Sequence, residues 1–352
     1  MGDISEQLQQ RVREANAAGR ALRIRGGGTK DFYGRTPTGE PLDVADHDGV
    51  VAYEPTELVL TARAGTALQT VEAALADAGQ MLAFEPPHLG PAATLGGTIA
   101  CGLSGPRRPY TGAARDFVLG VKMLTGGGDM LRFGGQVMKN VAGYDVSRLM
   151  TGALGTLGVL LEISLKVLPR PAEERTLRLA MPVEHALARM TEWAGRPWPL
   201  SATCHDGEAL HVRLSGATSA VAEAAEDLGG EAVAEAAGFW RSVREHSHPF
   251  FEASGPLWRL ALPPGAPADI VPGDWLVEWG GAQRWLRTDV PAERIRSLAV
   301  EHGGHATLFR GGDRGGAVFH PLPPALAALE RKLKDAFDPS HILNPGRLYP
   351  EW

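Results

Sequence analysis

Only two of the 352 residues are cysteines, Cys101 and Cys204. Two isolated thiols exclude a disulfide framework, a CxxC metal site and an iron–sulfur site built within this chain. We therefore predict two reduced thiols, the usual state in a cytoplasmic protein.

A surplus of positive charge is missing as well. The chain has 35 Lys and Arg against 41 Asp and Glu, a net charge of −6, and no basic block. Because nucleic-acid binding depends on clustered Lys and Arg that neutralise phosphates, this balance argues against a nucleic-acid partner.

Long apolar runs are absent too. No stretch reaches the roughly 18 apolar residues that a membrane-spanning helix needs. Residues 1–7 (MGDISEQ) have neither the basic nor the apolar region of a signal peptide. These absences predict a cytoplasmic location without a membrane span.

Glycine, in contrast, is abundant, with 44 residues. Three glycine-rich segments stand out: residues 25–34 (RGGGTKDFYG), 93–105 (ATLGGTIACGLSG) and 155–159 (GTLGV). Glycine permits positive φ and close approach of the backbone, so successive N–H groups can converge on an anion. Three such segments favour a long, polyphosphate-bearing ligand, which means a nucleotide cofactor.

The first glycine segment does not match the common nucleotide-binding motifs. A Rossmann fingerprint needs G-x-G-x-x-G opening a helix, and no helical pattern follows Gly26–Gly28. The Walker A motif is absent. Taken alone, the segment is typical of an ordinary turn; together with the other two segments, a ligand-binding loop is favoured.

The length suggests two domains of about 150 residues each, and Pro169-Arg170-Pro171 marks a candidate boundary. No internal repeat is evident. We predict a short helix within the second glycine segment and a Thr66 N-cap on the helix at 66–78. Periodicity predicts helices over 4–18, 66–78, 183–194, 217–227, 291–302 and 326–337. It predicts strands over 22–25, 50–53, 58–62, 117–124, 130–133, 159–167, 176–181, 208–214, 257–262, 274–279 and 306–310.

Five stretches in this order resemble one flavoprotein family over nearly the whole chain. They are residues 26–34, 94–105, 112–120 (GAARDFVLG), 154–159 and 337–346. They resemble the FAD segments of the vanillyl-alcohol oxidase superfamily, whose FAD domain is called PCMH-type, and the last resembles its D-lactate and glycolate branch. Residues 139–145 (KNVAGYD), 279–285, 308–312 and 319–322 further resemble the FAD-binding E subunits of bacterial glycolate oxidases.

The resemblance implies an α+β fold. A PCMH-type FAD-binding domain with two subdomains would span 1–171, and a smaller α+β, ferredoxin-like cap domain would span 172–320. The helix and tail of 321–352 would return to the flavin.

The resemblance also implies a cofactor site. Backbone at Gly26–Lys30 would hold the FAD pyrophosphate, 94–105 would flank it, 155–159 would meet the adenosine, and Asn344 would approach the isoalloxazine. The implied cofactor-binding residues are Arg25, Gly26, Gly27, Gly28, Thr29, Lys30, Gly34, Pro87, Thr94, Gly96, Gly97, Thr98, Gly102, Ser104, Gly105, Arg107, Tyr110, Asp116, Gly155, Gly158, Val159 and Asn344.

Two departures from the family pattern are informative. Covalent members carry a His in the first loop, where this chain has Thr29 or Lys30, so we expect FAD to be bound non-covalently. The family's catalytic subunits carry a His-rich metal cluster; here His302 and His305, or His246 and His248, lack a carboxylate partner. We therefore predict no metal and regard these four as surface or core histidines.

A 2-hydroxy acid substrate would bring a carboxylate, which a guanidinium can bind bidentately. Candidates for this catalytic role are Arg259, Arg284 and Arg310, with surface salt bridges as the alternative for each. Trp279 and Trp285 are expected to pack the second domain, with stacking on the flavin as the alternative.

The resemblance implies an FAD-binding subunit that oxidises glycolate, or other D-2-hydroxy acids, and passes electrons to an iron–sulfur partner. The implied partners are a sister flavin subunit and an iron–sulfur subunit, through which the chain would meet the inner face of a membrane. Two alternatives stay open: a non-catalytic FAD relay or assembly subunit, and a stand-alone oxidoreductase for lactate, a lactone or a sugar.

Overall fold

A computed structural model describes residues 2–135 and 144–352. The chain forms two compact units. The first comprises Met1–Leu103, Ala113–Pro169 and Arg314–Trp352, and the second comprises Ser104–Gly112 and Arg170–Asp313. The domain limits expected from the sequence stay a prediction, and residues 139–143 of the KNVAGYD segment lie outside the described residues.

The helices of the described residues follow in chain order. They are α1 (Ser5–Ala17), α2 (Leu68–Asp77), α3 (Leu95–Cys101), α4 (Arg108–Thr111), α5 (Ala114–Phe117), α6 (Val146–Leu149), α7 (Val183–Trp193), α8 (Thr218–Leu228), α9 (Ala236–Glu245), α10 (Pro249–Glu252), α11 (Ala292–Glu301) and α12 (Pro324–Phe337).

The strands follow in the same way. They are β1 (Leu22–Arg25), β2 (Glu40–Asp43), β3 (Val50–Glu54), β4 (Val59–Arg63), β5 (Gln80–Met81), β6 (Val118–Leu124), β7 (Met130–Gly134), β8 (Val159–Lys166), β9 (Leu168–Pro169), β10 (Glu173–Ala180), β11 (Leu200–His205), β12 (Ala209–Gly216), β13 (Glu231–Ala232), β14 (Leu257–Ala261), β15 (Asp274–Glu278), β16 (Gln283–Arg287) and β17 (His305–Arg310).

The first unit is built on a five-stranded antiparallel sheet in the order β3-β4-β8-β6-β7. Its central strand β8 is mostly apolar and is buried at all but its last residue. Ile163 and Leu165 pack in a core with α2 and α3, while Val159 and Leu161 pack in a second core with α1 and β1. Burial on both faces explains why most of the strand is apolar, and its buried Glu162 is paired with Lys122 at 3.1 Å.

The chain terminus completes the second core. Leu22 of β1 donates its N–H to Ile342 O and accepts from Asn344 N, so residues 342–344 extend the parallel β1-β2 pair. Ile342 and Leu343 are buried in that core. The tail is therefore an internal part of the first unit.

The second unit is an eight-stranded sheet in the order β13-β10-β12-β11-β15-β16-β14-β17. Strands β10 to β13 with α7 and α8 form a β-α-β-β-α-β unit in the ferredoxin-like order. Strands β14 to β17 repeat that order, with α11 before the last strand and a loop where the first helix would lie. Each half has an apolar core, and Ala268 and Val277 of the second half also pack in the core of the first.

Some local predictions were wrong. The helix predicted to begin at Thr66 begins at Leu68. Thr66 does not cap it, because the Thr66 hydroxyl accepts from Gly49 N and donates to Gly49 O. Helix α9 and strands β11 and β16 are present where no element was predicted.

Candidate functional site

A cavity in the first unit lies where β1 runs into the first glycine segment. Its empty space, including the solvent-filled mouth, is ≈ 1030 Å³. The lining residues come from seven stretches of the chain: Arg23 to Asp31; Thr36 and Pro37; Val44; Ala64; Thr94, Gly96, Gly97, Ala100 and Cys101; Leu154, Gly155 and Leu160; and Asn344 and Arg347.

The loop Gly26–Gly28 presents bare backbone to this cavity. Among the described residues, the N–H groups of Gly26, Gly27 and Gly28 have no hydrogen-bond acceptor. A Cβ on Gly27 would lie 1.4 Å from Ala92 O, and Gly28 has φ +72°. Successive unpaired N–H groups in such a turn form an anion-binding concavity.

Basic side chains add positive charge around the loop. The Nε of Arg23 is buried and has no hydrogen-bond partner in the part of the chain that is described. Lys30 is 7 % exposed, and its Nζ donates to His88 O at 3.0 Å. An orphaned guanidinium nitrogen beside free amides fits an anionic group such as a pyrophosphate.

The second glycine segment forms α3, as predicted. Thr94 caps the helix by accepting from Gly97 N at 3.2 Å, and Gly102 ends it with φ 62°. A Cβ on Gly96 would lie 2.7 Å from the Ala64 Cβ, so glycine here lets α3 pack against β4. Cys101 lines the cavity, and burial raises the pKa of its thiol.

The tail closes one side of the cavity with two side chains. Asn344 has φ 42°; its Oδ1 accepts from Ile24 N at 2.8 Å and its Nδ2 donates to Leu154 O at 2.7 Å. Arg347 donates to Lys30 O at 3.2 Å and to Arg35 O at 3.1 Å, and burial lowers its pKa. The tail thus fixes the first glycine loop and the 154–155 turn.

The structure brings about half of the predicted cofactor residues together. Those in the cavity lining are Arg25, Gly26, Gly27, Gly28, Thr29, Lys30, Thr94, Gly96, Gly97, Gly155 and Asn344. Ser104, Gly105, Arg107 and Tyr110 belong to the second unit. Gly34, Pro87, Thr98, Gly102, Asp116, Gly158 and Val159 belong to the first unit but are not among the lining residues.

Several residues outside the lining have a structural contact instead. Asp116 accepts from Ala113 N at 2.8 Å at the start of α5. A Cβ on Gly158 would lie 2.1 Å from the Met123 Cε, and Val159 is fully buried in the core. In the second unit, the Arg107 guanidinium pairs with Glu174 at 2.5 Å. Their roles toward a cofactor stay predictions.

The motifs did not reveal two of the basic lining residues, Arg23 and Arg347. Arg23 lies in β1, before the glycines, and alternation along that strand is the signal that puts it on the same side as Arg25. Arg347 follows Asn344-Pro345-Gly346 in the tail, and no motif in the sequence indicated that its side chain reaches the cavity.

The three candidate arginines lie in the second unit in different surroundings. Arg284 is fully buried, and all three of its guanidinium nitrogens donate to carbonyls, namely those of Gly281, Pro267 and Ala266. Burial lowers its pKa to about 10. This arrangement favours a structural role for Arg284. Arg259 and Arg310 are only partly buried.

The paired histidines also have packing contacts. The His246 ring stacks on Phe251 at 4.1 Å, and His248 Nδ1 accepts from Phe250 N at 3.3 Å. Within residues 2–135 and 144–352, no group of three or more His, Cys, Asp or Glu side chains is arranged to hold a metal ion.

Comparison with known proteins identifies the family of the chain. Residues 4–134 match the family model of the FAD binding domain, which includes the first glycine loop and α3. The chain is 50% identical over 349 residues to glycolate oxidase subunit GlcE of Escherichia coli K12, covering 99% of this chain and 98% of that protein. The chain belongs to the GlcE family. FAD is accordingly its cofactor, as predicted, and it is an FAD-dependent oxidoreductase subunit.

More distant relatives share part of the chain or only its fold. Glycolate oxidase subunit GlcD of Bacillus subtilis is 34% identical over 155 residues, which cover 44% of this chain and 33% of GlcD. The solved structure of alkyldihydroxyacetonephosphate synthase aligns with a TM-score of 0.69 and 15% identity, over 97% of this chain and 74% of that one. These findings confirm the predicted α+β, PCMH-type fold.

No helix among the described residues has the length and apolar character needed to cross a membrane.

Proposed function

We propose that this chain is the FAD-binding subunit of a complex that oxidises glycolate, or related D-2-hydroxy acids, to the corresponding 2-oxo acid. Its relatives GlcE and GlcD are subunits of glycolate oxidase, which supports assembly with a sister flavin subunit. Electrons would leave through an iron–sulfur partner. Partner subunits would also supply any contact with a membrane.

The residues of the cavity fit the negative half of FAD. The amides of Gly26, Gly27 and Gly28, with the orphaned Nε of Arg23, would bind the pyrophosphate. Binding would be non-covalent, because Thr29 and Lys30 occupy the position of the attachment histidine. FAD, when bound, supplies a hydride acceptor for the α-carbon of the substrate.

The chain's own residues act by binding and orientation. Lys30 donates to His88 O and Arg347 donates to Lys30 O, so these two buried cations hold the loop in shape while adding positive charge. Asn344 holds the 154–155 turn against β1. A preformed, positively charged site of this kind lowers the cost of ordering the cofactor.

The observation that carries the proposal is the set of three unpaired amides beside the unpaired Arg23 Nε. The test of that observation is FAD affinity. Arg23→Gln should weaken FAD binding by about tenfold, since hydrogen bonds to charged groups are worth about 1.5–3 kcal/mol. Arg20→Gln is the matched control, because Arg20 is exposed and pairs with Glu40 outside the cavity. Equal affinities in both variants would contradict the assignment.

The catalytic role is tested by an anaerobic absorbance spectrum of the purified chain before and after glycolate. Bleaching of the flavin would place the chemistry in this subunit. A flavin that stays oxidised would leave the cofactor in place and favour the relay or assembly role. Bleaching by lactate, a lactone or a sugar, and not by glycolate, would favour a stand-alone oxidoreductase.

A further inference from the structure

Helix α12 of the first unit buries a side that is largely polar. The residues on this side recur at steps of three and four positions: Ala327, Glu330, Lys334 and Phe337. Lys334 is buried in its pair with Asp338, and Phe337 packs against the core that contains α2 and α3. Because a helix on the surface of a folded unit normally buries its apolar face, α12 departs from the usual arrangement.

The leucines of α12 form a separate stripe beside this buried side. We call Leu326, Leu329, Leu333 and Ala336 the leucine stripe; each lies one position before a residue of the buried side. One position turns a helix by about 100°, so the stripe faces away from the unit's core. Leu326 and Leu329 are 41 % and 54 % exposed, more than any other leucine among residues 2–135 and 144–352.

The spacing of the leucine stripe suits a second helix. Steps of three and four positions are those at which side chains of one helix insert between side chains of another. Exposed apolar patches with a polar rim mark interaction sites in soluble proteins. The stripe therefore has the pattern of one side of a helix–helix contact.

One charged residue borders the leucine stripe on its open side. On the helical wheel Lys332 lies next to Leu329 and Ala336, whereas Arg331 lies on the far side of the helix. Lys332 is exposed, and in the described part of the chain no carboxylate lies within 4 Å of its ammonium group. The nearby Asp335 pairs with His341 at 2.7 Å. The open border therefore carries a positive charge that a partner could match.

This charge argues against a second copy of the chain as the occupant. In a two-helix contact, the side chains that border one stripe meet those that border the other. A second copy would bring Ala325 and Lys332 along its own open border, and neither supplies a carboxylate. Glu330, on the opposite border, is turned toward its own unit, where burial raises the pKa of its carboxyl. Opposite charge at a contact favours the right partner, so the occupant should carry Asp or Glu beside its apolar face.

The leucine stripe is also a poor match for a lipid surface. A helix that lies in a membrane interface presents a broad apolar face, with Trp or Phe among its apolar residues. The stripe consists of three leucines and one alanine, without an aromatic residue, and the side next to it is packed on the first unit. A protein helix fits this narrow surface better.

We propose that the leucine stripe of α12 is the docking surface for the sister flavin subunit, which covers it with an apolar helix face bordered by Asp or Glu. This inference rests on the proposed function, in which the chain is one subunit of a glycolate-oxidising complex. The GlcE and GlcD relatives are both subunits of glycolate oxidase, which favours a GlcD-type chain as the occupant.

The test is the Kd between the full-length, FAD-loaded chain and the purified GlcD-type subunit of the same organism, measured by biolayer interferometry. We expect Leu326→Asp and Leu329→Asp each to raise this Kd by about tenfold or more, because each removes a buried apolar contact and sets a carboxylate against the acidic border of the partner. Val300→Asp is the matched control. Val300 is 56 % exposed on α11 of the second unit, and its variant should keep the wild-type Kd.

A pair of charge reversals tests the border of the stripe. Lys332→Glu should raise the Kd, and the increase should be larger at low than at high salt concentration. Arg331→Glu makes the same change of charge on the far side of α12 and should leave the Kd nearly unchanged. Circular dichroism and flavin content show whether each variant folds. If a leucine variant fails to fold, the two charge reversals decide the question.

The outcomes distinguish this docking surface from the proposed function. If the wild-type chain binds the GlcD-type subunit and the Leu326, Leu329 and Lys332 variants bind it equally well, the docking surface is refuted and the proposed function stands. If the wild-type chain does not bind that subunit, the proposed assembly fails and the docking surface fails with it.

Two further outcomes would assign the leucine stripe to another occupant and overturn the proposal. The first is a wild-type chain that sediments as a dimer in analytical ultracentrifugation and becomes monomeric as Leu329→Asp, which would indicate a second copy. The second is binding to vesicles of phosphatidylcholine and phosphatidylglycerol that is lost in Leu329→Asp, which would indicate a lipid surface. We expect a monomer that does not bind these vesicles.

Discussion

A buried ion pair fastens the tail to the first unit. Lys334 of α12 and Asp338 are 1 % and 0 % exposed, and their side chains meet at 2.6 Å. The Lys334 Nζ also donates to Thr156 O at 2.7 Å and Leu343 O at 3.0 Å. The Asp338 carboxylate accepts from the N–H groups of Ile342 and Leu343. One pair therefore joins the helix, the third glycine segment and the tail.

The informative perturbation is Asp338→Asn. An asparagine keeps the size of the side chain and one of the two backbone bonds, but it leaves the Lys334 ammonium buried without a counter-charge. Breaking a buried pair in this way costs about 3–5 kcal/mol. With a shift of about 2–4 °C per kcal/mol for a unit of this size, we expect the midpoint of thermal unfolding to fall by about 6 °C or more.

The matched comparison is the double variant Lys334→Met, Asp338→Asn, which removes both charges. We expect it to be more stable than Asp338→Asn alone, because no buried charge is left unpaired. The assay is thermal unfolding followed by circular dichroism, with flavin content measured in parallel. The reasoning would be refuted if the midpoint of thermal unfolding of Asp338→Asn lay within 1 °C of the wild-type value. It would also be refuted if the double variant unfolded at a lower temperature than Asp338→Asn.

Three further predictions follow from local geometry. Gly27→Ala should abolish FAD binding, because its Cβ would overlap Ala92 O, whereas Gly195→Ala, with no atom nearer than 3.6 Å, should leave flavin content unchanged. Asn344→Ala should raise the Kd for FAD, measured by fluorescence titration, by about tenfold, since Ile24 N and Leu154 O both lose their partner. Burial lowers the pKa of His47 in the folded chain below 6.5, so the unfolded chain binds the proton more readily. The free energy of unfolding should therefore fall as the pH drops below about 6.5. Measured by urea unfolding, its decrease between pH 7.5 and pH 5.5 should be smaller in His47→Gln than in the wild-type chain.

The backbone conformation of the Gly26–Gly28 loop could be anticipated from the sequence because its signal is local. Glycine is needed at position 27 by close backbone approach and at position 28 by a positive φ, and both needs show in the residue itself. Ile24 and Asn344, by contrast, meet across 320 positions. The glycine motifs indicated the family, but they could not predict the hydrogen bonds that join the tail to β1 and the glycine loop.

The elements that were not predicted have a common cause. Strand β16 is buried along its length, yet it contains Gln283, Arg284 and Arg287, which hide the apolar pattern of a buried strand. Strand β11 is formed by small and polar residues and has only Leu200 as a large apolar side chain. Periodicity detects a strand by the contrast between its faces, and in these two strands that contrast is missing.

The duplicated topology of the second unit was hidden for a related reason. In the first half, α7 and α8 both pack on the sheet and share one apolar core. In the second half, residues 262–271 replace the first helix and contribute Leu262, Ala266 and Val271 to the core beside α11. The two halves thus conserve strand order and burial, while the element that fills the same space differs in type. A helix and a loop have different hydrophobic patterns, so the two halves show no repeat in the sequence.

This difference also explains the polar residues in the strands of the second half. Because α11 and the 262–271 loop pack on one face of that half, strand alternation places Arg259, Gln283 and Trp285 on the opposite face. Polar groups on that face need partners when they are buried. The Arg259 Nε donates to Gln283 Oε1, and both the Gln283 amide and the Trp285 indole donate to Glu278 Oε1. A side-chain network of this kind lets a buried strand carry polar residues, and it removes the apolar pattern by which such a strand is recognised in a sequence.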